Sequence, residues 1–287
     1  MSILAYILIS AGALAAGWFA NIISQRLPNE KLSLFGPLHC VRSGELLHWY
    51  DSFPIFGFIA QRGSCRYCHK PLPRRFLVLE VLILVSLLVA WPLYTDQPLA
   101  AYLFNAFAIV LLITIAMIDW RLRLIFPIMI YLGLFLALLA ALLVPGSQFT
   151  DRIPNSWLSM LGGAIFGTVF FLGIYWLALA IYRVRALGFG DVLLAMLIGA
   201  QNGFPRAVTT LFLGAIVGGI AALVIYIGGF KKSREFIPYG TWMCVGAVLV
   251  LVFGETVWRF GPLQTLTGLF DLLSMIIFNS LNRLFGS

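Results

Sequence analysis

Gly188-Phe189-Gly190-Asp191 runs without a break into the apolar stretch Val192 to Ala200, so a carboxylate stands at the edge of a segment suited to a bilayer. A carboxylate there is costly and calls for a compensating role. Upstream, Met117-Ile118-Asp119-Trp120 closes another apolar stretch in the same way. For either aspartate alone, a salt bridge to a nearby arginine is the ordinary explanation. Two acids at matching positions suggest a general acid/base pair, because the glycines beside Asp191 let backbone and substrate come close.

Around these two stretches the chain is 61% hydrophobic and only 10% charged over 287 residues, which excludes a soluble domain with a charged surface. Apolar stretches of roughly spanning length fall at about 3–23, 76–94, 99–118, 124–144, 157–182, 189–204, 206–229 and 236–258. The expected fold class is therefore an all-α polytopic membrane protein of about eight transmembrane helices. Eight of the 19 Lys and Arg lie between Ser24 and Arg75. Further basic residues mark the turns at Arg121/Arg123, Arg183/Arg185 and Lys231/Lys232/Arg234, against only Arg152, Arg206, Arg259 and Arg283 on the alternate side. The positive-inside rule then places the long loop in the cytoplasm, the N-terminus outside and both aspartates near the cytoplasmic face. Because this distribution accounts for the net charge of +8, membrane lipid is the expected surround and no nucleic-acid partner is expected. The opening stretch has no basic residue ahead of it and reads as a span rather than a cleaved signal.

The 24–75 loop is the one sizeable aqueous piece, and it holds Cys40, Cys65, Cys68 and all three histidines, His39, His48 and His69. In a reducing cytoplasm, Cys65-Arg66-Tyr67-Cys68 suits a structural zinc better than a disulfide. Zinc would staple a loop too small to fold on its own core. Cys40 is followed three residues later by Ser43 rather than cysteine. The expected ligands are thus Cys40, Cys65 and Cys68, the fourth being left open among His48, His39, His69 and water, with His48 the candidate; an unmetallated loop is the alternative. Cys244 reads as inert packing. Asn21, at the exit of the first span, can bond a neighbouring helix or loop, and Glu80 reads as an interfacial acid paired with Arg74 or Arg75. The tail 259–287 repeats apolar residues between polar ones, as in a surface-lying amphipathic helix.

Together these stretches resemble the type IV prepilin peptidases, also called prepilin leader peptidase/N-methyltransferases, a family of GxGD intramembrane aspartyl proteases. Gly17 to Pro28 is similar to that family's first-span exit, and the cysteine loop with Trp49-Tyr50-Asp51 and Arg75 to Glu80 is similar to its cytoplasmic domain. Asp119 with Pro127, and Gly188 to Asp191, match its two catalytic aspartates, and Pro238-Tyr239-Gly240 resembles its turn into the last span. The chain departs from the family at Ser43, which breaks one of two Cys-x-x-Cys pairs, and at Leu193, where the family has lysine. The resemblance implies an inner-membrane aspartic endopeptidase that cleaves type IV prepilins or pseudopilins through Asp119 and Asp191, with Gly188 and Gly190 as motif residues. It also implies methylation of the new N-terminus from S-adenosylmethionine, to which no residue is assigned, since the loop has no glycine-rich nucleotide turn. The expected division is a first helix (1–23), a cytoplasmic loop domain (24–75), a seven-helix peptidase domain (76–258) and the tail (259–287). The alternatives are another GxGD protease without methyltransferase activity, a proton-coupled carrier using the same aspartates, and an inactive assembly scaffold.

Overall fold

A computed structural model describes residues 3–28, 40, 43–46, 48, 55–144, 156–183, 188–228 and 238–253. Among them, the regular elements are helices: α1 (Ile3–Arg26), α2 (Phe56–Ala60), α3 (Arg75–Ala90) with a 3₁₀ turn at Trp91–Tyr94, α4 (Leu99–Leu122), α5 (Pro127–Leu143), α6 (Ser156–Tyr182), α7 (Phe189–Asn202), α8 (Arg206–Ile227) and α9 (Tyr239–Phe253). The eight apolar stretches coincide with all of these except α2, the short helix inside the loop. Five are long and apolar enough to cross a membrane, and α5, α7 and α9 are shorter apolar helices. The protein is an all-α polytopic membrane protein. The tail 259–287, His39, Trp49-Tyr50-Asp51 and the basic turn 231–234 lie outside the described residues.

The helix ends differ from the sequence expectation where caps and bundle contacts extend them. α4 runs to Leu122 and stops where Arg123 turns left-handed, at φ 56°, with its N–H donating to the Asp119 carbonyl at 2.8 Å. Asp119 therefore sits inside the last turn of a helix rather than beyond it. Pro127 then opens α5 in the first-turn position, where its missing N–H costs nothing.

Between membrane helices, where apolar burial supplies little drive, close backbone approach does the work. A Cβ added at Gly163 of α6 would lie against the Gly199 carbonyl of α7, and one at Gly167 against the carbonyl of Ala195. A Cβ added at Gly246 of α9 would stand 2.6 Å from the Gly214 Cα of α8. These contacts seat α6 against α7 and α8 against α9, and Ile109, Leu112 and Ile115 of α4, Leu194, Leu197 and Ile198 of α7 and Met243 and Ala247 of α9 share one buried cluster. Replacing Gly163 by leucine should force α6 and α7 apart and cost roughly 1–3 kcal/mol or more, as overpacking does. Gly173, on the same helix, has nothing within 4 Å of an added Cβ. Thermal unfolding in detergent should therefore fall for Gly163→Leu and stay unchanged for Gly173→Leu.

The chain direction gathers the chemistry at one end. Asn21 near the end of α1 meets Glu80 near the start of α3, while at the opposite end the Tyr102 hydroxyl of α4 donates to the Leu87 carbonyl of α3. The close of α4 and the starts of α7 and α9 consequently lie at the end that carries the cysteine loop.

Candidate active site

Asp119 descends from the last turn of α4 and Asp191 occupies the first turn of α7. The two carboxylates converge over Gly240 of α9: a Cβ there would stand 2.9 Å from Asp191 Oδ1 and 3.0 Å from Asp119 Oδ2. Those two distances bound the gap between the oxygens, and a single water or carbonyl group can bridge it. Gly240 is required at this point because any side chain would occupy the space between the acids.

Each carboxylate accepts a backbone N–H, Asp119 from another helix and Asp191 from its own opening turn. Asp119 Oδ2 accepts the Thr241 N–H at 2.7 Å, and the Thr241 hydroxyl lies 2.8 Å from the same oxygen. That hydroxyl is also 3.3 Å from the Ala116 carbonyl; having one proton, it favours the shorter contact. Asp191 Oδ2 accepts the Gly188 N–H at 3.2 Å while the Asp191 N–H donates to the Gly188 carbonyl, a reciprocal cap on the opening turn of α7. One oxygen of each acid is thereby oriented by the backbone.

The walls are apolar. The Ile125 side chain lies against Gly190 and Gly240. Tyr239 of α9 packs on Phe171 of α6 with ring centroids 6.0 Å apart, and one turn further along α6 the Tyr175 ring lies 6.5 Å from that of Phe189. Phe189, between the two motif glycines, is 58% exposed, so this aromatic surface opens outward beside Asp191. Leu193, where the resemblance leads to lysine, packs against the central apolar cluster.

Glu80 is tied into a second network. Its Oε1 accepts from the Asn21 amide at 2.7 Å and its Oε2 from the Ile55 N–H at 2.6 Å. The Asn21 amide also donates to the Phe76 carbonyl at 3.1 Å. A Cβ at Gly17 would lie 3.2 Å from the Glu80 Cα, so glycine lets α1 and α3 close around this carboxylate. The bonds to Glu80 come from these groups in place of the expected arginine, while the Arg75 guanidinium lies over the Phe76 ring. Glu80 thus pins the loop, through Ile55, to the first two spanning helices. Glu80→Ala strands the Ile55 N–H and the Asn21 amide at a cost of roughly 1–3 kcal/mol. Faster proteolysis within the loop, with Glu80→Gln closer to wild type, is the expected readout.

In the loop, the sulfurs of Cys40, Cys65 and Cys68 all lie within 4.8 Å of one another, and Cys40 Sγ is 3.7 Å from Cys68 Sγ. Tetrahedral zinc with bonds of about 2.3 Å sets sulfurs about 3.8 Å apart, so this donor set fits zinc. Burial pushes the Cys65 thiol up, and the Tyr67 and Cys68 N–H groups at its sulfur oppose that shift. His48 is exposed, its ring 6.4 Å from that of Tyr67, and neither it nor His69 joins the three sulfurs.

Two family models match the chain in succession, the bacterial peptidase A24 N-terminal domain over residues 12–93 and the type IV leader peptidase family over residues 106–223. The chain belongs to the type IV leader peptidase family. A prepilin leader peptidase/N-methyltransferase of Legionella pneumophila is 27% identical, covering 89% of this chain and 94% of that protein. The corresponding protein of Pseudomonas putida is 22% identical, covering 85% and 89%. A type 4 prepilin-like proteins leader peptide-processing enzyme of Escherichia coli O78:H11 is 24% identical, covering 85% and 93%. No solved structure matches the chain. The peptidase-family match contains Asp119 and Asp191 and ends before Gly240 and Thr241, which complete the site from α9. Thr241 and Ile125 were not singled out in the sequence: a threonine after a glycine and an isoleucine in a short turn carry no local signal of contact with an acid.

Proposed function

We propose that this leader peptidase family member cleaves the leader of type IV prepilins or pseudopilins with Asp119 and Asp191 and methylates the new N-terminus. The observation that carries this reading is the convergence of both carboxylates over Gly240. Two acids this close share a proton and titrate as one unit. The ionised member takes a proton from water as the water oxygen attacks the scissile carbonyl carbon, and the protonated member donates to the carbonyl oxygen. Collapse of the tetrahedral intermediate breaks the C–N bond as the proton taken from water passes to the leaving nitrogen and one hydroxyl of the intermediate returns its proton to the other aspartate, so the dyad is restored and one water is consumed per peptide bond.

The substrate chemistry agrees with the position of the site. A precursor anchored by its own apolar helix, with a basic leader kept in the cytoplasm, presents its cleavage point at the interface. The site then faces the cytoplasm from the inner membrane with the N-terminus outside, as the basic residues of the loop support. The aromatic surface from Tyr239 to Phe189 offers apolar contact to the part of the substrate that stays in the membrane.

Methylation is supported by the relatives' names; S-adenosylmethionine supplies the methyl group when bound, and no residue of the chain is assigned to it. A zinc ion held by Cys40, Cys65 and Cys68 would cross-link the two ends of the loop and contribute folding energy there, without entering the cleavage step.

Purified protein in detergent, given a purified prepilin and radiolabelled methyl donor, tests both halves. Leader release with label in the mature product supports the proposal. Intact prepilin across pilin and pseudopilin substrates overturns it, and release without label reduces it to a peptidase.

A further inference from the structure

The cysteine loop contains the same turn twice. In the second copy the Cys65 N–H donates to the Lys70 carbonyl at 2.9 Å and the His69 N–H donates back to the Cys65 carbonyl at 2.9 Å. In the first copy the Cys40 N–H donates to the Glu45 carbonyl at 2.7 Å and the Gly44 N–H donates back to the Cys40 carbonyl at 2.9 Å. Both turns are closed by a residue of positive φ at the fifth position, 55° at His69 and 75° at Gly44. The two turns therefore correspond at their described positions, Cys40 with Cys65, Gly44 with His69 and Glu45 with Lys70, and by that register Ser43 takes in the first turn the place that Cys68 takes in the second. Such a turn directs its first and fourth side chains to one point, and three of the four side chains so directed are thiols whose sulfurs already cluster.

We propose that Ser43 stands at the fourth corner of a three-thiolate metal centre, leaving that corner to a neutral, exchangeable oxygen ligand, its own hydroxyl or a water. This rests on the metal reading above and departs from His48 as fourth ligand. Cys40 and Cys65 are buried, 5% and 1% exposed, whereas Ser43 is exposed. Two of the three sulfurs are thus shielded, Cys68 is half-buried, and the corner at Ser43 is open to solvent. A neutral oxygen binds a soft thiolate-loving ion less firmly than a fourth sulfur, and an open corner admits an external nitrogen or sulfur donor. Closed structural sites and open ones differ in this respect.

The test uses the full-length protein, reduced and in detergent, titrated with Co²⁺ as a spectroscopic probe and then with Zn²⁺ against a competing chelator. Wild type is expected to bind one ion with charge-transfer intensity of three thiolates, and imidazole should shift its ligand-field bands. Ser43→Cys should raise that intensity in the ratio of four thiolates to three, abolish the imidazole response and tighten Zn²⁺ binding by at least the ~10-fold that even an outer-shell change makes. His48→Ala should leave all three readouts unchanged. If the metal binds but Ser43→Cys changes nothing, or His48→Ala releases the metal, the assignment of Ser43 is overturned. If neither wild type nor Ser43→Cys binds Co²⁺ or Zn²⁺, the metal reading itself falls, and cleavage by the aspartates stands or falls separately.

Discussion

Alanine at either Asp119 or Asp191 is expected to lower leader cleavage by at least about 10³-fold, and alanine at both to cost little more than alanine at one. The reason is that the acids act as a unit: one must hold a proton while the other accepts one, and neither half of the exchange proceeds alone. The Gly188 bond to Asp191 lies within one helical turn, and the Thr241 bonds that join α4 to α9 at Asp119 are few against the apolar cluster those helices share, so each variant should keep the helices around it. A thermal transition in detergent near that of wild type establishes this. Full cleavage by a folded single variant would sink the dyad, and strictly multiplicative losses would show that the two carboxylates work independently. Methylation of a pre-cleaved substrate gives an internal control, since no step of cleavage is then needed.

Gly240→Ala should lower cleavage by about 10²-fold, the scale that a displacement of about 1 Å at a reacting centre produces, without lowering stability. The added methyl would sit 2.9 Å from Asp191 Oδ1, 3.0 Å from Asp119 Oδ2 and 3.0 Å from Ile125 Cδ1. All three are outer atoms of side chains, so they can yield. What yields is the spacing of the acids, and the place where a bridging water or carbonyl belongs is filled. Glycine to alanine within a helix favours the helix by about 1 kcal/mol, which offsets the crowding. Activity should thus fall while stability holds, an outcome that general misfolding cannot produce. A variant as active as wild type would show that the reacting group does not pass over α9.

Much of this was legible because membrane helices announce themselves. A run of apolar residues long enough to span has one favourable conformation, as backbone groups in hydrocarbon must bond within their own segment. The eight apolar stretches accordingly reappear as helices. Asp119 and Asp191 were visible for a related reason, since an acid at the end of such a run is rare and costly. Cys65 and Cys68 declared a turn through their spacing, and Cys40 joined them across the loop.

The partners of these residues were a different matter. Nothing near Asp119 in the chain indicates that Thr241, 122 residues on, supplies two of its contacts. Glu80 looked like a partner for Arg74 or Arg75 because those are its neighbours in sequence, yet the bonds shown to it come from Asn21 and Ile55. Ser43 read as a broken pair until the backbone of its turn could be laid beside that of Cys65. The sequence by itself determined the membrane class, the helices, the two acids and the cysteine pattern, because hydropathy, charge cost and short-range spacing are written residue by residue. Only the tertiary structure decided which groups hold those acids, that Gly240 keeps the space between them open, and where Ser43 stands. Those facts depend on how closely helices approach across glycine contacts, a property of pairs of surfaces that no single stretch of the chain carries.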